Sequence, residues 1–174
     1  MKDMKVEKAG YCAHVLFALV ITILMCSGAA AQDEARLVLK TEVAKEIRVK
    51  EGNAWIMKYV PVEVTKPGDV LFYRITYFNE GTAPAVGAVI ADPVPEGTVY
   101  LPDSAIGSNT AISFSIDGGN TYQRPPVLYV VVKPDGSKEE KEAPPEIYTH
   151  IRWMTGMPVP PGHSGELGFK VRVK

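Results

Sequence analysis

Three carboxylates, Glu80, Asp92 and Glu96, stand close together in the segment 77–100, which reads YFNEGTAPAVGAVIADPVPEGTVY. Two carboxylates can divide the work of general acid and general base, and carboxylates at loop ends are usual ligands of calcium. The three prolines of the segment exclude a helix that would bring these side chains onto one face. Glu80 ends a predicted strand, and Asp92 precedes a proline, which favours a turn. We therefore interpret the three as turn and edge residues, with calcium binding as the open alternative.

The run Gly162-His163-Ser164-Gly165 sets a histidine beside a serine, the residue types that serve as base and nucleophile in hydrolases. The nucleophile-elbow pattern G-x-S-x-G needs a glycine where Glu166 stands. Neighbouring side chains diverge, so His163 is poorly placed to activate Ser164. His150 is the one other histidine beyond the N-terminal segment, and two histidines without a cysteine make a weak zinc site. The sequence predicts no enzyme activity, no metal site and no cofactor.

The N-terminal segment 1–31 has the pattern of a secretory signal peptide. Three lysines precede an apolar run from Val15 to Met25, and small residues follow up to Ala31. The run is shorter than the about 20 residues of a permanent transmembrane helix. We predict cleavage between Ala31 and Gln32, with lipidation of Cys26 as the alternative. The mature chain is then exported to the periplasm, the cell surface or the medium, and it keeps no stable membrane span.

The mature chain would run from Gln32 to Lys174, a length that suits one domain. It would carry 19 − 3 = 16 basic and 20 − 2 = 18 acidic side chains, a net charge of −2. A near-neutral chain without a basic cluster lacks the positively charged patch that binds nucleic acid or an anionic membrane surface. Both cysteines, Cys12 and Cys26, lie in the N-terminal segment, so we expect a conventional core without disulfides.

Apolar and polar residues alternate with a period of two, which predicts strands along the mature chain. The clearest strand is Glu166–Lys174, and Leu37–Val49 has the same alternation. Residues 45–60 predict a hairpin around Glu51-Gly52-Asn53, while Val70–Phe78 is apolar on both faces, as in a central strand. Seven or more short strands without a helix predict an antiparallel β-sandwich, with Trp153 in its core.

Several motifs follow one another in a set order along 64–174. They are Pro67-Gly68-Asp69, Asn79-Glu80-Gly81, Asp92-Pro93-Val94-Pro95-Glu96-Gly97, Asp117-Gly118-Gly119, Trp153 and Pro161-Gly162. In this order they resemble the conserved-repeat domain of prokaryotic surface proteins, domain-of-unknown-function family eleven. The resemblance implies an immunoglobulin-like β-sandwich in exported envelope or surface proteins, with no catalytic residues. The chain departs from the family in having one copy and an N-terminal extension, 32–63, which we expect to pack on the sandwich as a strand and hairpin.

Apolar side chains on the outside of the predicted sandwich are the candidate binding residues. They are Trp55, Met57 and Tyr59 on the hairpin, and Phe72 and Phe78 on the second face of the central strand. An outer sandwich face should be polar, so these residues either pack under the hairpin or form a partner patch.

The leading hypothesis from the sequence is a non-catalytic module that contacts envelope or surface proteins. A second copy is another candidate partner, through pairing of Leu37–Val49 with a neighbouring sheet edge; the alternative is pairing of this strand within its own domain. The second hypothesis is a carbohydrate- or ligand-binding module that uses Trp55, Met57 and Tyr59 as a platform.

Overall fold

The structure is a computed structural model, and it describes residues 33–174. The predicted signal peptide, its cleavage between Ala31 and Gln32 and the alternative lipidation of Cys26 lie outside the described residues. Within 33–174, eleven strands and one short 3₁₀-helix form, which confirms the all-β prediction. The same residues contain no helix with the length and hydropathy that a membrane crossing requires.

The strands are numbered in chain order. They are β1 (Leu37–Glu51), β2 (Ala54–Pro61), β3 (Val70–Asn79), β4 (Val89–Pro93), β5 (Thr98–Tyr100), β6 (Ile106–Gly107), β7 (Thr110–Ser115), β8 (Leu128–Val132), β9 (Lys138–Glu142), β10 (His150–Thr155) and β11 (Ser164–Val173). The 3₁₀-helix, Pro145–Ile147, lies between β9 and β10.

The strands form two larger sheets and one two-stranded ribbon. The first sheet has the order β2-β1-β3-β11-β5, and β6 also pairs with β11. The second sheet has the order β4-β10-β7, and β8 with β9 makes the ribbon. Every strand pairing is antiparallel. The sequence favours this arrangement because short turns join strands that are apolar on one face and polar on the other.

β3 is the central strand of the first sheet, as its two apolar faces predict. It pairs with β1 on one side and with β11 on the other. The hairpin of β1 and β2 is also confirmed, with Glu51 paired to Ala54 across a two-residue turn. Gly52 opens this turn at a φ of +61°, the conformation that a type II′ hairpin needs at its first central position.

The two larger sheets share one hydrophobic core. Leu167 and Phe169 on β11 and Ile151 and Trp153 on β10 are fully buried in it. The rings of Trp153 and Phe169 meet across the sheets with centroids 6.1 Å apart. Each such side chain stabilises the fold by about 1.5–3 kcal/mol on burial. The predicted inner face of the last strand and the predicted core position of Trp153 are therefore confirmed.

The strand predicted at Leu37–Val49 pairs within its own chain. Leu37–Glu46 pairs with β3, and Ala44–Glu51 pairs with β2. The strand thus pairs within its own domain along its whole length, and both neighbours are present only at Ala44–Glu46. Pairing of the open side of Leu37–Val43 with a neighbouring molecule stays a prediction.

Candidate interaction surface

The three carboxylates of segment 77–100 occupy separate positions in the scaffold. Glu80 is exposed and lies 3.7 Å from the guanidinium of Arg36. Asp92 is half-buried on β4, and burial raises the pKa of its carboxyl above the ordinary value. Glu96 is exposed in the turn before β5. Among residues 33–174, no two of these carboxylates share a hydrogen bond and no group of three potential metal ligands lies together.

Asn79 gives the segment its structural role. Its side chain is fully buried, and its Oδ1 accepts hydrogen bonds from the N–H groups of Arg36 (3.1 Å) and Gly81 (3.0 Å). Its Nδ2 donates to the carbonyls of Ala83 and Val159, at 2.8 Å each. One amide therefore ties the start of β1, the 81–83 loop and the 159 region to the end of β3.

Gly81 completes the same junction. Glu34 accepts hydrogen bonds from the N–H groups of Thr82 (2.9 Å) and Ala83 (3.3 Å), so the segment before β1 runs alongside this loop. A Cβ on Gly81 would lie 2.1 Å from the carbonyl oxygen of Glu34. The motif Asn79-Glu80-Gly81 is consequently a scaffold junction, in agreement with its interpretation as turn and edge residues.

The turn at Asp117 also uses its carboxylate for internal hydrogen bonds. Oδ1 accepts from the hydroxyl of Ser115 at 2.7 Å, and Oδ2 accepts from the hydroxyl of Thr121 at 2.6 Å. The N–H of Thr121 donates to Oδ1 at 2.9 Å. These donors hold the pKa of the Asp117 carboxyl at about 2, below its ordinary value of 3.8. The carboxylate thus stabilises the turn that contains it.

Replacing Asp117 with alanine is expected to lower the melting temperature at neutral pH and to change it little near pH 2. The folded pKa of this group is depressed, so its contribution is present above the unfolded pKa of 3.8 and is lost as the pH falls through about 2. Thermal unfolding of both proteins from neutral pH to pH 2 measures this. Asp135→Ala, in the exposed turn between β8 and β9, is the control for loss of an Asx turn. A difference in melting temperature that stays constant across this range would contradict the assignment.

The two histidines do not form a site with serine in the structure. His163 is exposed, and its Nδ1 lies 3.1 Å from the carbonyl oxygen of Pro161. Ser164 is exposed at the start of β11. His150 is half-buried at the start of β10, and its Nδ1 has no hydrogen-bond partner among the described residues. The two rings therefore lie in different environments, one at a turn and one beside the Asp117 loop.

The hairpin carries the main exposed aromatic surface that the sequence predicted. Trp55, Met57 and Tyr59 follow one another on the outer face of β2, with 57%, 52% and 45% of their surface exposed. These three residues are called the hairpin surface below. Phe78 is exposed at the far end of β3, whereas Phe72 is buried.

Phe72 anchors the hairpin to the sheet. Its ring lies 5.2 Å from that of Tyr59, centroid to centroid. It also covers Gly168 on β11, where a Cβ would lie 2.8 Å from the Phe72 ring. Phe72 is therefore buried beside Tyr59 on the outer face of the sheet, and we remove it from the candidate partner surface.

Charged side chains surround the hairpin surface. The Tyr59 hydroxyl donates to Oε2 of Glu46 at 3.1 Å, and Glu46 also pairs with Lys170. The carboxylate of Glu46 raises the pKa of the Lys170 ammonium. The guanidinium of Arg48 stands 4.9 Å from the centre of the Trp55 ring, a cation–π distance. The rings are thus held in place by neighbours on β1 and β11.

The opposite face of the hairpin is less covered than the sequence suggests. The alternating pattern groups Leu37, Leu39, Val43, Ile47 and Val49 on one face. Leu37 packs against the core, but Leu39 and Val43 are exposed. The reason is tertiary, because the second sheet has three strands and supplies no strand to face the outer part of β1.

A concave site that the sequence did not predict lies between the β5–β6 loop and the segment after β9. Stacked or tilted rings of Tyr100, Phe114 and Tyr148 form its floor, with centroids 5.1–5.5 Å apart. Asp103 and Glu142 add two carboxylates to its lining. Its residues come from four separate segments of the chain, so no local motif marks it.

Comparison of the chain with protein-family models, with curated proteins and with solved structures finds no match. The fold defines the class of the protein as all-β, built from antiparallel sheets. The similarity of 64–174 to the conserved-repeat domain of surface proteins stays a prediction.

Proposed function

We propose that the mature chain is an exported, non-catalytic, immunoglobulin-like β-sandwich that serves as a structural or protein-interaction module of the cell envelope or surface. The signal-peptide pattern of segment 1–31 supports export. The order of motifs in 64–174 and the single core between two antiparallel sheets support the sandwich. The observation that carries the function is the hairpin surface, whose side chains stay outside that core.

The composition of the hairpin surface favours contact with a protein. Tryptophan, tyrosine, methionine and arginine are the residue types enriched at the centres of protein interfaces. Trp55, Met57 and Tyr59 stand together here with Arg48 stacked on the tryptophan. Rigid aromatic anchors also lose little conformational entropy on binding, and they are common hot spots.

The positions of the polar residues support a structural role for the rest of the chain. The Asn79 amide and the Asp117 carboxylate are polar groups of the kind that bind ligands. Both make their hydrogen bonds within the domain. Catalysis needs a nucleophile, a base and an orienting group in mutual contact. His163 instead lies against Pro161, in a turn.

The proposal is tested by photo-cross-linking in cells that export the chain. A photoreactive residue at position 57 should give protein adducts, because this side chain lies at the centre of the hairpin surface. The matched control is position 86, where Val86 is 77% exposed away from the hairpin. Equal adduct patterns from the two positions would contradict the proposal, and so would adducts that Trp55→Ala leaves undiminished.

Carbohydrate binding is the alternative function, and the exposure of Trp55 and Tyr59 on one face of β2 favours it. A saccharide ring would stack on an aromatic face, but the guanidinium of Arg48 already lies over Trp55. Binding of the exported chain to envelope glycans, measured alongside Trp55→Ala and Arg48→Ala, decides between the two functions. Glycan binding that Trp55→Ala abolishes and Arg48→Ala strengthens would favour the saccharide platform.

A further inference from the structure

β2 stands at one end of the first sheet, and its outer edge is free. It pairs with β1 through eight consecutive residue pairs, from Ala44 with Pro61 to Glu51 with Ala54, and it has no second neighbour among the described strands. A free strand edge exposes a row of backbone N–H and C=O groups that can pair with another strand.

The hairpin geometry shows which backbone groups face outward. In a two-residue hairpin the residues flanking the turn, here Glu51 and Ala54, form a hydrogen-bonded pair. Hydrogen-bonded and non-hydrogen-bonded pairs then alternate along the strands. The N–H and C=O groups of Trp55, Met57 and Tyr59 therefore point away from β1. Within residues 33–174, β1 is the only strand that pairs with β2.

The register on the other side of β1 agrees with this assignment. The N–H of Glu80 donates to the carbonyl of Arg36 at 2.8 Å, so the even-numbered residues of β1 face β3. The odd-numbered residues of β1 must then face β2, and Glu51 is one of them. The three outward pairs of β2 follow from two independent observations.

The edge of β2 carries two of the devices that block strand addition, Pro61 and the inward-pointing Lys58, but neither interrupts the outward groups of Trp55, Met57 and Tyr59. Such edges commonly carry a proline, a bulge or an inward-pointing charge. The pairing with β1 is continuous, without a bulge, and Pro61 comes only at the end of the strand. Lys58 points to the opposite face from the hairpin surface, and its ammonium pairs with Glu51 of the same hairpin.

We propose that the partner of the hairpin is a second copy of the same chain, paired antiparallel through β2 about a two-fold axis at Met57. Trp55 then pairs with Tyr59 of the second copy, Met57 pairs with its own counterpart, and all three outward pairs are used. A register shifted by two residues in one direction would place Trp55 opposite Pro61, which has no N–H to donate. The opposite shift would bring Asn53 of the turn into the pairing. This inference rests on the proposed function and names its partner.

The side chains suit this register. On the outer face, Trp55 adjoins Tyr59 of the second copy and the two Met57 side chains meet, which extends the hairpin surface without a like-charge contact. On the other face, Ile56 lies opposite Lys58 of the second copy, whose charge is offset by Glu51. The two five-strand paths would join into one continuous sheet.

Proline at position 57 tests the backbone pairing. Since the N–H of Met57 faces outward, Met57→Pro removes a donor at the two-fold axis and keeps the ladder to β1. Met57→Ala is the matched control, because it shortens the same side chain and keeps the N–H. Light scattering of the exported chain from about 1 μM to about 1 mM, the range of weak complexes, should show a dimer. We expect the proline variant to dimerise at least about tenfold more weakly than the alanine variant.

Cysteine cross-linking tests the register. The chain has no cysteine after position 31, so an introduced thiol has no competitor there. Met57→Cys should form a disulfide with itself, because paired residues of adjacent strands lie about 4.5–5.5 Å apart. Ile56→Cys and Lys58→Cys should each form no disulfide-linked dimer alone and should cross-link when mixed. Circular dichroism and thermal unfolding confirm that each variant is folded.

A monomer at every concentration would overturn the inference, and so would self-cross-linking of Lys58→Cys alone. Equal association of Met57→Pro and Met57→Ala would also overturn it. The outcome for the proposed function is separate. A monomeric chain that is photo-cross-linked at position 57 to a different envelope protein overturns self-pairing and keeps the interaction module. If position 57 forms neither a disulfide with a second copy nor a photo-cross-link to another protein, both the self-pairing and the proposed function are overturned.

Discussion

Asn79→Ala is expected to lower the free energy of unfolding by at least about 3 kcal/mol. The substitution removes two acceptors and two donors at once, and it leaves the N–H groups of Arg36 and Gly81 and the carbonyls of Ala83 and Val159 without their partners. A buried polar group that loses its partner costs about 1–3 kcal/mol. The cost is high because the site is dry, with Asn79 fully buried.

Chemical denaturation of the exported chain measures the effect of Asn79→Ala, with the neighbour Glu80→Ala as control. Glu80 is exposed and its ion pair with Arg36 is long, at 3.7 Å, so its loss should cost at most about 1 kcal/mol. Hydrogen exchange should also show faster opening of residues 33–39 in Asn79→Ala, because the start of β1 loses its tie. Similar unfolding energies for the two variants would show that Asn79 is not the junction.

Trp153→Ala is expected to lower the free energy of unfolding by about 3–5 kcal/mol, as large-to-small changes of buried aromatic residues do. Trp153 is fully buried on β10, and it packs on Phe169 of the other sheet. Its Nε1 donates to the carbonyl of Ile106 at 3.0 Å. The variant therefore loses packing between the sheets and a hydrogen bond. Since domains are stable by about 5–15 kcal/mol, this loss is a large share of the total stability.

Trp153→Phe separates the two contributions in the same denaturation experiment. Phenylalanine fills most of the space but cannot donate to Ile106, so we expect a smaller loss, about 1–3 kcal/mol. Met154→Ala, at the next and exposed position of β10, should change stability by about 0.5 kcal/mol or less. A loss for Trp153→Ala no greater than that for Met154→Ala would place Trp153 outside the core.

The sequence alone was sufficient for the elements whose signals are local. The alternation in 166–174 predicts which side chains of β11 are buried, because in a strand the side-chain direction repeats every two residues. The two apolar faces of Val70–Phe78 predict a strand with neighbours on both sides. The turn at Gly52 predicts the hairpin, since the turn depends on one residue that accepts a positive φ.

The junction at Asn79 shows where local signals end. Its position at a strand end is readable from the glycine two residues later, but its partners come from 36, 83 and 159. These contacts exist only after the chain has folded back on itself. The cluster of Tyr100, Phe114 and Tyr148 could not be predicted from the sequence for the same reason.

The alternating face of β1 shows a second limit. The two-residue period predicts that Leu39 and Val43 share a face with Leu37. It does not predict whether another part of the protein covers that face. Coverage depends on how many strands the facing sheet has, which is a property of the whole fold. The same holds for the free edge of β2, because strand order decides that β2 stands at the end of the sheet.

The sequence by itself determined that this protein is all-β, where its central strand, hairpin and last strand lie, and which aromatic residues β2 presents. Those properties depend on side-chain period and turn chemistry, which act over a few residues. Only the tertiary structure decided that Phe72 packs beside Tyr59, that Asn79 joins three segments and that the edge of β2 is free. Such properties depend on which distant segments meet, and packing of the whole chain sets that.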